Sequence, residues 1–175
     1  MRWLVALAVL IGVLSVCRFY FANRRPANPN LHRVSSCNSP LAGMTRIGDR
    51  GLQFDVSTRD FTITEGTTDT APILHGFDLV PKGRKANLEI EFGERSMESI
   101  AADPALIFMK HIEKRSIFDD KGKPIGEDEW GYRDTGERWR RLRFTGIGTA
   151  KYGLVDTREA ELFDQIINSA CFVPQ

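Results

Sequence analysis

The stretch Ala86-Asn-Leu-Glu-Ile-Glu-Phe92 shows most clearly how this chain folds. Its apolar residues at positions 88, 90 and 92 alternate with two glutamates, and this two-residue period is typical of a strand with one face in a core and one face in water. The stretch therefore predicts a half-buried strand in an antiparallel sheet, since such sheets can be solvated on one side.

The same alternation continues on both sides of this stretch. Three segments upstream have it, and three more follow a hairpin-type turn at Asp120-Lys-Gly-Lys123, where they predict a meander. Residues 96–102 predict a short helix, and residues 107–118 fit either a helix or a strand. The further predicted strands are 51–56, 60–64, 72–80, 125–132, 138–145 and 149–155.

The clearest helix comes near the end of the chain. From Ala160 to Cys171, apolar residues recur every three or four positions on one face. Asp156 precedes this segment and Glu159 follows three positions later, which is the reciprocal pattern of a capping box. One amphipathic helix against a sheet predicts an α+β protein, with a mainly antiparallel sheet and a C-terminal amphipathic helix packed on it.

Charge is distributed unevenly along the 175 residues. The chain has 24 Lys and Arg and 23 Asp and Glu, a formal net charge of +1. Six of the basic residues, all Arg, lie in the first 48 residues, where no acidic residue occurs, so residues 49–175 carry 18 (24 − 6) basic and 23 acidic side chains, a charge of −5. A composition of 42% hydrophobic and 27% charged residues excludes a disordered or fibrous chain, and the total charge gives no global attraction to nucleic acid.

The N-terminal segment has the features of a targeting sequence. The thirteen apolar or small residues Leu4–Val16 follow a charged start at Arg2, and this length fits the apolar core of a signal peptide. With Trp3 and the aromatic residues 19–21, the segment approaches the length of a membrane span. Residues 1–22 are therefore predicted to be a signal peptide or a single membrane anchor.

Other interpretations of this segment stay open. Cys17 would be the lipidated residue of a lipoprotein signal, although Val16 stands where such signals have a small residue. A buried core helix would also explain the apolar run. More arginines follow the run than precede it, and the positive-inside rule alone would keep the rest of the chain in the cytoplasm. The cysteines are the reason that we favour export.

Cysteine usage indicates an oxidising compartment. Cys17 lies in the leader, which leaves Cys37 and Cys171 as an even pair. We predict a disulfide between these two, although Cys171 could also be a small buried apolar residue. Residues 23–45, rich in Pro, Asn and Ser, are predicted to be a flexible tether, and residues 46–175 a single globular α+β domain. The protein is therefore expected to be extracytoplasmic, either membrane-anchored or secreted.

Residues 138–144, Arg-Trp-Arg-Arg-Leu-Arg-Phe, are the main candidate for binding a ligand. Guanidinium groups interleaved with aromatic rings are typical of sites for phosphate or single-stranded nucleic acid. The acidic remainder of the domain disfavours nucleic acid, and cross-strand ion pairs to glutamates at 89, 91 or 127–129 would explain the same arginines without a ligand. The candidate binding residues are Arg138, Trp139, Arg140, Arg141 and Arg143.

The sequence has no recognisable cofactor, metal or catalytic motif. Its three histidines are widely separated, no C-x-x-C occurs, and neither a Walker loop nor G-x-S-x-G nor H-E-x-x-H is present. Gly146-Ile-Gly148 supplies only the first two glycines of a dinucleotide-binding fingerprint. We therefore expect no cofactor and no metal, and assign no catalytic residue.

Two classes of function remain. The favoured one is an exported interaction module that contacts the membrane through its N-terminal segment and binds a protein or an anionic envelope component, with no nucleic acid as partner. The alternative is a small extracytoplasmic enzyme, such as a hydrolase that uses a carboxylate and His75 or His111 as acid and base. A concave pocket that joins one of these histidines to a carboxylate would favour the enzyme, whereas a flat or groove-like exposed apolar patch would favour the module.

Overall fold

The computed structural model describes residues 31–49, 51–67, 74–93 and 111–173, which form eleven strands and one helix. The elements are β1 (Leu31–Arg33), β2 (Thr45–Gly48), β3 (Leu52–Val56), β4 (Phe61–Thr67), β5 (His75–Pro81), β6 (Leu88–Phe92), β7 (His111–Phe118), β8 (Pro124–Tyr132), β9 (Arg138–Phe144), β10 (Gly148–Val155), α1 (Thr157–Asn168) and β11 (Cys171–Phe172).

The strands form two sheets. The larger has eight strands in the order β1-β7-β8-β9-β10-β6-β5-β4, and the smaller has three in the order β11-β3-β2. Neighbours from β7 through β4 pair antiparallel. The predicted meander is confirmed, because β8, β9 and β10 are adjacent in the larger sheet.

The predicted α+β class with a mainly antiparallel sheet is wrong, because the fold is mostly β. About 55% of the described residues lie in strands and 10% in α1, and the larger sheet as a whole is mixed. Residues 111–118 of the ambiguous segment form the long strand β7. The strands β1, β2 and β11 have only two to four residues each, too few for a recognisable alternation. The predicted helix at 96–102 lies outside the described residues.

Helix α1 begins where its capping residues predict. The Asp156 side chain accepts a hydrogen bond of 2.8 Å from the Glu159 amide, and the Glu159 carboxylate accepts one of 3.4 Å from the Asp156 amide. The helix lies against β3, β9 and β10 and buries four side chains there, namely Ala160, Phe163, Ile166 and Ile167. Within the described part of the chain, no helix is long and apolar enough to cross a bilayer.

The hydrophobic core is shared by α1, the smaller sheet and one face of the larger sheet. In β6, Leu88, Ile90 and Phe92 are buried, while the two glutamates between them are partly exposed, as the alternation predicts. β3 contributes Leu52 and Phe54, which are fully buried. At β6, the opposite face of the larger sheet therefore carries the partly exposed Glu89 and Glu91.

The predicted disulfide between Cys37 and Cys171 is present, with a Cα–Cα distance of 4.8 Å. Backbone hydrogen bonds accompany it, because the Cys37 amide donates to Phe172 at 2.7 Å and the Phe172 amide donates to Ser35 at 3.0 Å. Disulfides persist in oxidising compartments, so this bond agrees with an extracytoplasmic location. The division into leader, tether and domain stays a prediction, since residues 1–30 lie outside the described ranges.

Candidate functional site

Strand β9 divides the five candidate residues between the two faces of the larger sheet. Successive side chains of a strand point to opposite faces. Arg138 and Arg140 share the face that packs on α1, whereas Trp139, Arg141 and Arg143 belong to the other face. The segment that the sequence marks as one site is thus split into two groups with different neighbours.

Arg140 is the centre of a buried ion network beside α1. Its guanidinium donates to both carboxylate oxygens of Asp128 (2.8 and 2.7 Å), to Asp164 (2.8 Å) and to Asn168 Oδ1 (3.1 Å). Asp128 is fully buried and also accepts two hydrogen bonds from Arg115. Burial lowers the pKa of Arg140, but the hydrogen bonds and charges of Asp128 and Asp164 outweigh burial and raise the pKa overall. Arg140 is therefore a permanently charged structural residue.

Two further titratable groups flank this network. The Tyr152 hydroxyl donates to Asp164 at 3.0 Å, and its pKa is raised by burial first and then by the charge of Asp164. His32 on β1 has a lowered pKa, because burial and then the positive charge of Arg115 disfavour the imidazolium. Both groups are uncharged at neutral pH, so the charge of the network comes from its arginines and aspartates.

On the other face, arginines of β9 form cross-strand ion pairs with glutamates of β8, as the sequence predicts. Glu129 accepts from Arg141 at 2.8 Å and from Lys114 at 2.6 Å, and it also pairs with Arg143 at 3.2 Å. Arg143 pairs in addition with Glu127. Burial raises the pKa of Glu129, but hydrogen bonds from Lys114 and Arg141 outweigh burial and lower it overall. These arginines therefore have structural partners.

A cleft of about 340 Å³ opens on the α1 side of the sheet. We call it the β8–α1 cleft. Its volume lies at the lower end of the range of roughly 300–1,000 Å³ that is usual for small-molecule sites. Its lining includes Trp130 and Tyr132, which we call the wall, and Arg140, Asp164 and Asn168, which we call the floor. Arg115 and Arg138 also line it.

The wall of the β8–α1 cleft is aromatic. Trp130 and Tyr132 are two positions apart on β8 and thus share a face. The Arg115 guanidinium lies 5.0 Å from the centre of the Trp130 ring, and His111 stacks on Tyr132 with a centroid distance of 4.5 Å. Tyr132 is 43% exposed, so part of this ordered aromatic surface is open to solvent.

Arg138 stands at the rim of the cleft. It is paired in register with Tyr132, and its positive charge acts on the Tyr152 hydroxyl. Its side chain is exposed, and among the described residues no carboxylate forms an ion pair with it. Arg138 is therefore the one predicted binding residue whose guanidinium is available at the cleft.

The two histidines of the enzyme hypothesis lie far apart. His75 Nε2 is 2.7 Å from Glu65 Oε1, and His111 Nε2 is 3.6 Å from Asp134 Oδ1. Their strands β5 and β7 are five strand spacings apart in the larger sheet, about 24 Å at about 4.8 Å per spacing. A second cleft, of about 300 Å³, lies on β4–β6 and is lined by residues such as Thr64, Gly76 and Glu91. Both histidine pairs are open to solvent, and neither histidine lines the β8–α1 cleft or the cleft on β4–β6.

Seven residues of the cleft lining are absent from the candidates that the sequence suggests, among them Trp130, Tyr132, Asp164 and Asn168. Trp130 and Tyr132 have a signal, because two aromatic residues two positions apart on a predicted strand share one face. Asp164 and Asn168 have no such sequence signal, because their place beside Arg140 depends on how α1 crosses the sheet.

Among the described residues, no cluster of three or more His, Cys, Asp or Glu side chains could hold a metal ion.

Comparisons with known proteins do not assign the chain to a family. No protein-family model matches it, and no solved structure matches it. It is similar to the serine/threonine-protein kinases A-Raf of Rattus norvegicus, with 30% identity, and of Mus musculus, with 28% identity. Each similarity extends over 141 residues, which are 78% of this chain and 21% of the kinase. The chain thus spans about a fifth of the length of these curated relatives.

Protein kinases place catalytic and magnesium-binding residues in H-R-D and D-F-G motifs. Neither tripeptide occurs in this sequence. The similarity to A-Raf therefore does not identify a functional site in this chain.

Proposed function

We propose that this protein is an exported binding module that holds an anionic ligand in the β8–α1 cleft. One observation carries the proposal. An exposed aromatic wall and an arginine that pairs with no carboxylate in the described part of the chain meet in a cleft whose floor is a buried ion network.

The network supports the proposal because it makes the cleft rigid before a ligand arrives. Arg140 has four hydrogen bonds and joins β8 to α1 through Asp128 and Asp164. Arg115 is fixed by Asp128 on one side and lies over Trp130. A site whose side chains are already ordered loses less conformational entropy when it binds.

The charge balance supports an anionic ligand. Within the cleft, Arg115 and Arg140 are matched by Asp128 and Asp164, which leaves the positive charge of Arg138 uncompensated. The surrounding domain is acidic, with a formal charge of −5 over residues 49–175. A single positive site on such a surface would select an anionic group locally.

The disulfide supports export, and with it a ligand found outside the cytoplasm. An anionic component of the cell envelope has the required charge and location. The enzyme alternative has less support, because the two exposed histidine–carboxylate pairs lie outside both clefts.

A binding assay with cleft variants tests the proposal. The full chain is titrated with three anionic probes, namely a soluble polyuronate, inorganic polyphosphate and phosphatidylglycerol vesicles, and binding is followed by tryptophan fluorescence. We expect at least one probe to bind, and its affinity to fall about tenfold in Tyr132→Ala and in Arg138→Gln, since aromatic contacts and charged hydrogen bonds are each worth about 1–3 kcal/mol.

Arg59→Gln is the matched control. Arg59 is exposed in the turn before β4, which lies five strand positions from β8 in the larger sheet. This variant should bind as the wild type does, and circular dichroism should show the same fold in all three variants. Binding that is equal in all variants, or absent for every probe, would overturn the proposal.

A further inference from the structure

The β8–α1 cleft combines three kinds of contact that select one ligand chemistry. We infer that its ligand is a sugar ring that carries a carboxylate, such as a hexuronic acid residue of an acidic polysaccharide. This inference rests on the proposed function and adds the class of ligand to it.

The aromatic wall offers a flat apolar surface of limited size. Trp130 and Tyr132 are about 7 Å apart along β8, at about 3.3–3.4 Å per residue. His111 and Arg115 support their rings from the neighbouring strand β7. A sugar ring has apolar C–H faces that fit such a surface, and a cleft of about 340 Å³ has room for a small ligand rather than for a protein segment.

The polar floor offers both a hydrogen-bond acceptor and a donor. Asp164 Oδ1 accepts from Arg140 and Tyr152, while no described residue hydrogen-bonds Asp164 Oδ2. Asn168 Oδ1 accepts from Arg140, while the Asn168 amide nitrogen has no such partner among the described residues. Hydroxyl groups donate and accept, so a polyhydroxylated ring can use both positions.

Arg138 provides the contact for the carboxylate. Its side chain is exposed at the rim beside Tyr132. Arg138 is a cationic donor, whereas Asp164 is an anionic acceptor. Arginine binds carboxylates through two parallel hydrogen bonds, and its planar group also packs well beside aromatic rings. The anionic group of the ligand would therefore lie at the rim, and its hydroxyl groups at the floor.

The floor disfavours a phosphate ligand. Asp164 and Asn168 lie in the C-terminal half of α1, where the helix dipole places partial negative charge. A phosphate dianion would meet this repulsion with only one uncompensated arginine, whereas a carboxylate carries one charge and needs only Arg138.

A matched pair of trisaccharides tests the inference. Trigalacturonate and the neutral galactotriose differ in their carboxylates, and their affinities for the full chain are compared by isothermal titration calorimetry. We expect trigalacturonate to bind at least tenfold more tightly. We expect Arg138→Gln to abolish this preference, so that the two trisaccharides bind this variant with equal affinity.

Asn168→Ala should act differently from Arg138→Gln, because the Asn168 side-chain amide would hydrogen-bond hydroxyl groups that both trisaccharides have. It should weaken trigalacturonate and galactotriose by the same factor, while Arg59→Gln changes neither. This contrast separates a role in sugar binding from a general effect on the fold.

Two further probes separate failure of the inference from failure of the proposed function. Equal affinity for both trisaccharides, or tighter binding of phenylacetate or glucose 6-phosphate that still depends on Tyr132 and Arg138, would overturn the acidic sugar and leave the cleft as the binding site. Absence of any binding that depends on Tyr132 and Arg138 would overturn both.

Discussion

Reduction of the Cys37–Cys171 disulfide should lower the free energy of unfolding by about 5 kcal/mol at 25 °C. The bond joins residues 134 positions apart in sequence. In the chain-entropy relation, closing a loop of this length removes about 17 cal/mol/K of entropy from the unfolded chain, which corresponds to that free energy.

The folded state should change little on reduction. The backbone hydrogen bonds between Cys37 and Phe172 and between Phe172 and Ser35 do not require the bond between the sulfur atoms. β11 also keeps its pairing with β3. The loss of stability should therefore come from the unfolded chain, and the far-ultraviolet circular dichroism of the folded protein should be the same before and after reduction.

Urea unfolding of the oxidised and the reduced protein measures the effect. Cys17→Ser is used for both samples, so that only the two paired cysteines contribute thiols. With a urea dependence of about 2–3 kcal/mol/M for a domain of this size, the unfolding midpoint should fall by about 2 M on reduction. Equal midpoints, or two free thiols in the denatured protein before any reductant is added, would refute the reasoning.

Three other predictions concern the ion network, the acid limit of stability and export. Arg140→Leu should lower the free energy of unfolding, measured in urea, by about 3–5 kcal/mol, because fully buried Asp128 would lose one of its two arginine partners. A loss below about 1 kcal/mol would contradict this role of Arg140. Glu129 has a lowered pKa, so its ion pairs stabilise the fold above its ordinary pKa of 4.5 and are lost as the pH falls through the lower folded value. Glu129→Gln should therefore lose less stability than the wild type as the pH falls below 4.5. The same dependence of unfolding free energy on pH in both proteins would refute this. Alkaline phosphatase fused after residue 175 should be active in a bacterial host, and activity of a cytoplasmic reporter instead would argue against export.

Much of the fold could be predicted because strand alternation and helix capping are local signals. The alternation in β6 needed only five residues, and Asp156 with Glu159 marked the start of α1. The protein class was mistaken because the short strands β1 and β11 are held by pairing with distant strands, which no local pattern records, and because β2 is too short for a recognisable alternation. The tertiary pairing therefore added β structure that the sequence did not reveal.

The candidate site could be predicted only in part. The arginines of β9 were recognisable as a group, and the two-residue period would already have separated Arg138 and Arg140 from Arg141 and Arg143. Asp164 could not be foreseen, because its neighbours Arg140 and Tyr152 lie 24 and 12 residues away in the chain. The cleft itself depends on the position of α1 across the sheet, which the sequence does not specify locally.

Chemical-shift mapping with trigalacturonate tests most directly the central claim that the β8–α1 cleft is the binding site. The Trp130 indole N–H and the Asn168 side-chain amide are reporters on the wall and on the floor of the cleft. The account predicts that both signals shift on titration, together with backbone amides of residues 130–140, while those of residues 64–67 in the cleft on β4–β6 stay in place. Shifts confined to residues 64–67 and 76–78, or no shift of the Trp130 and Asn168 signals at saturating ligand, would contradict it.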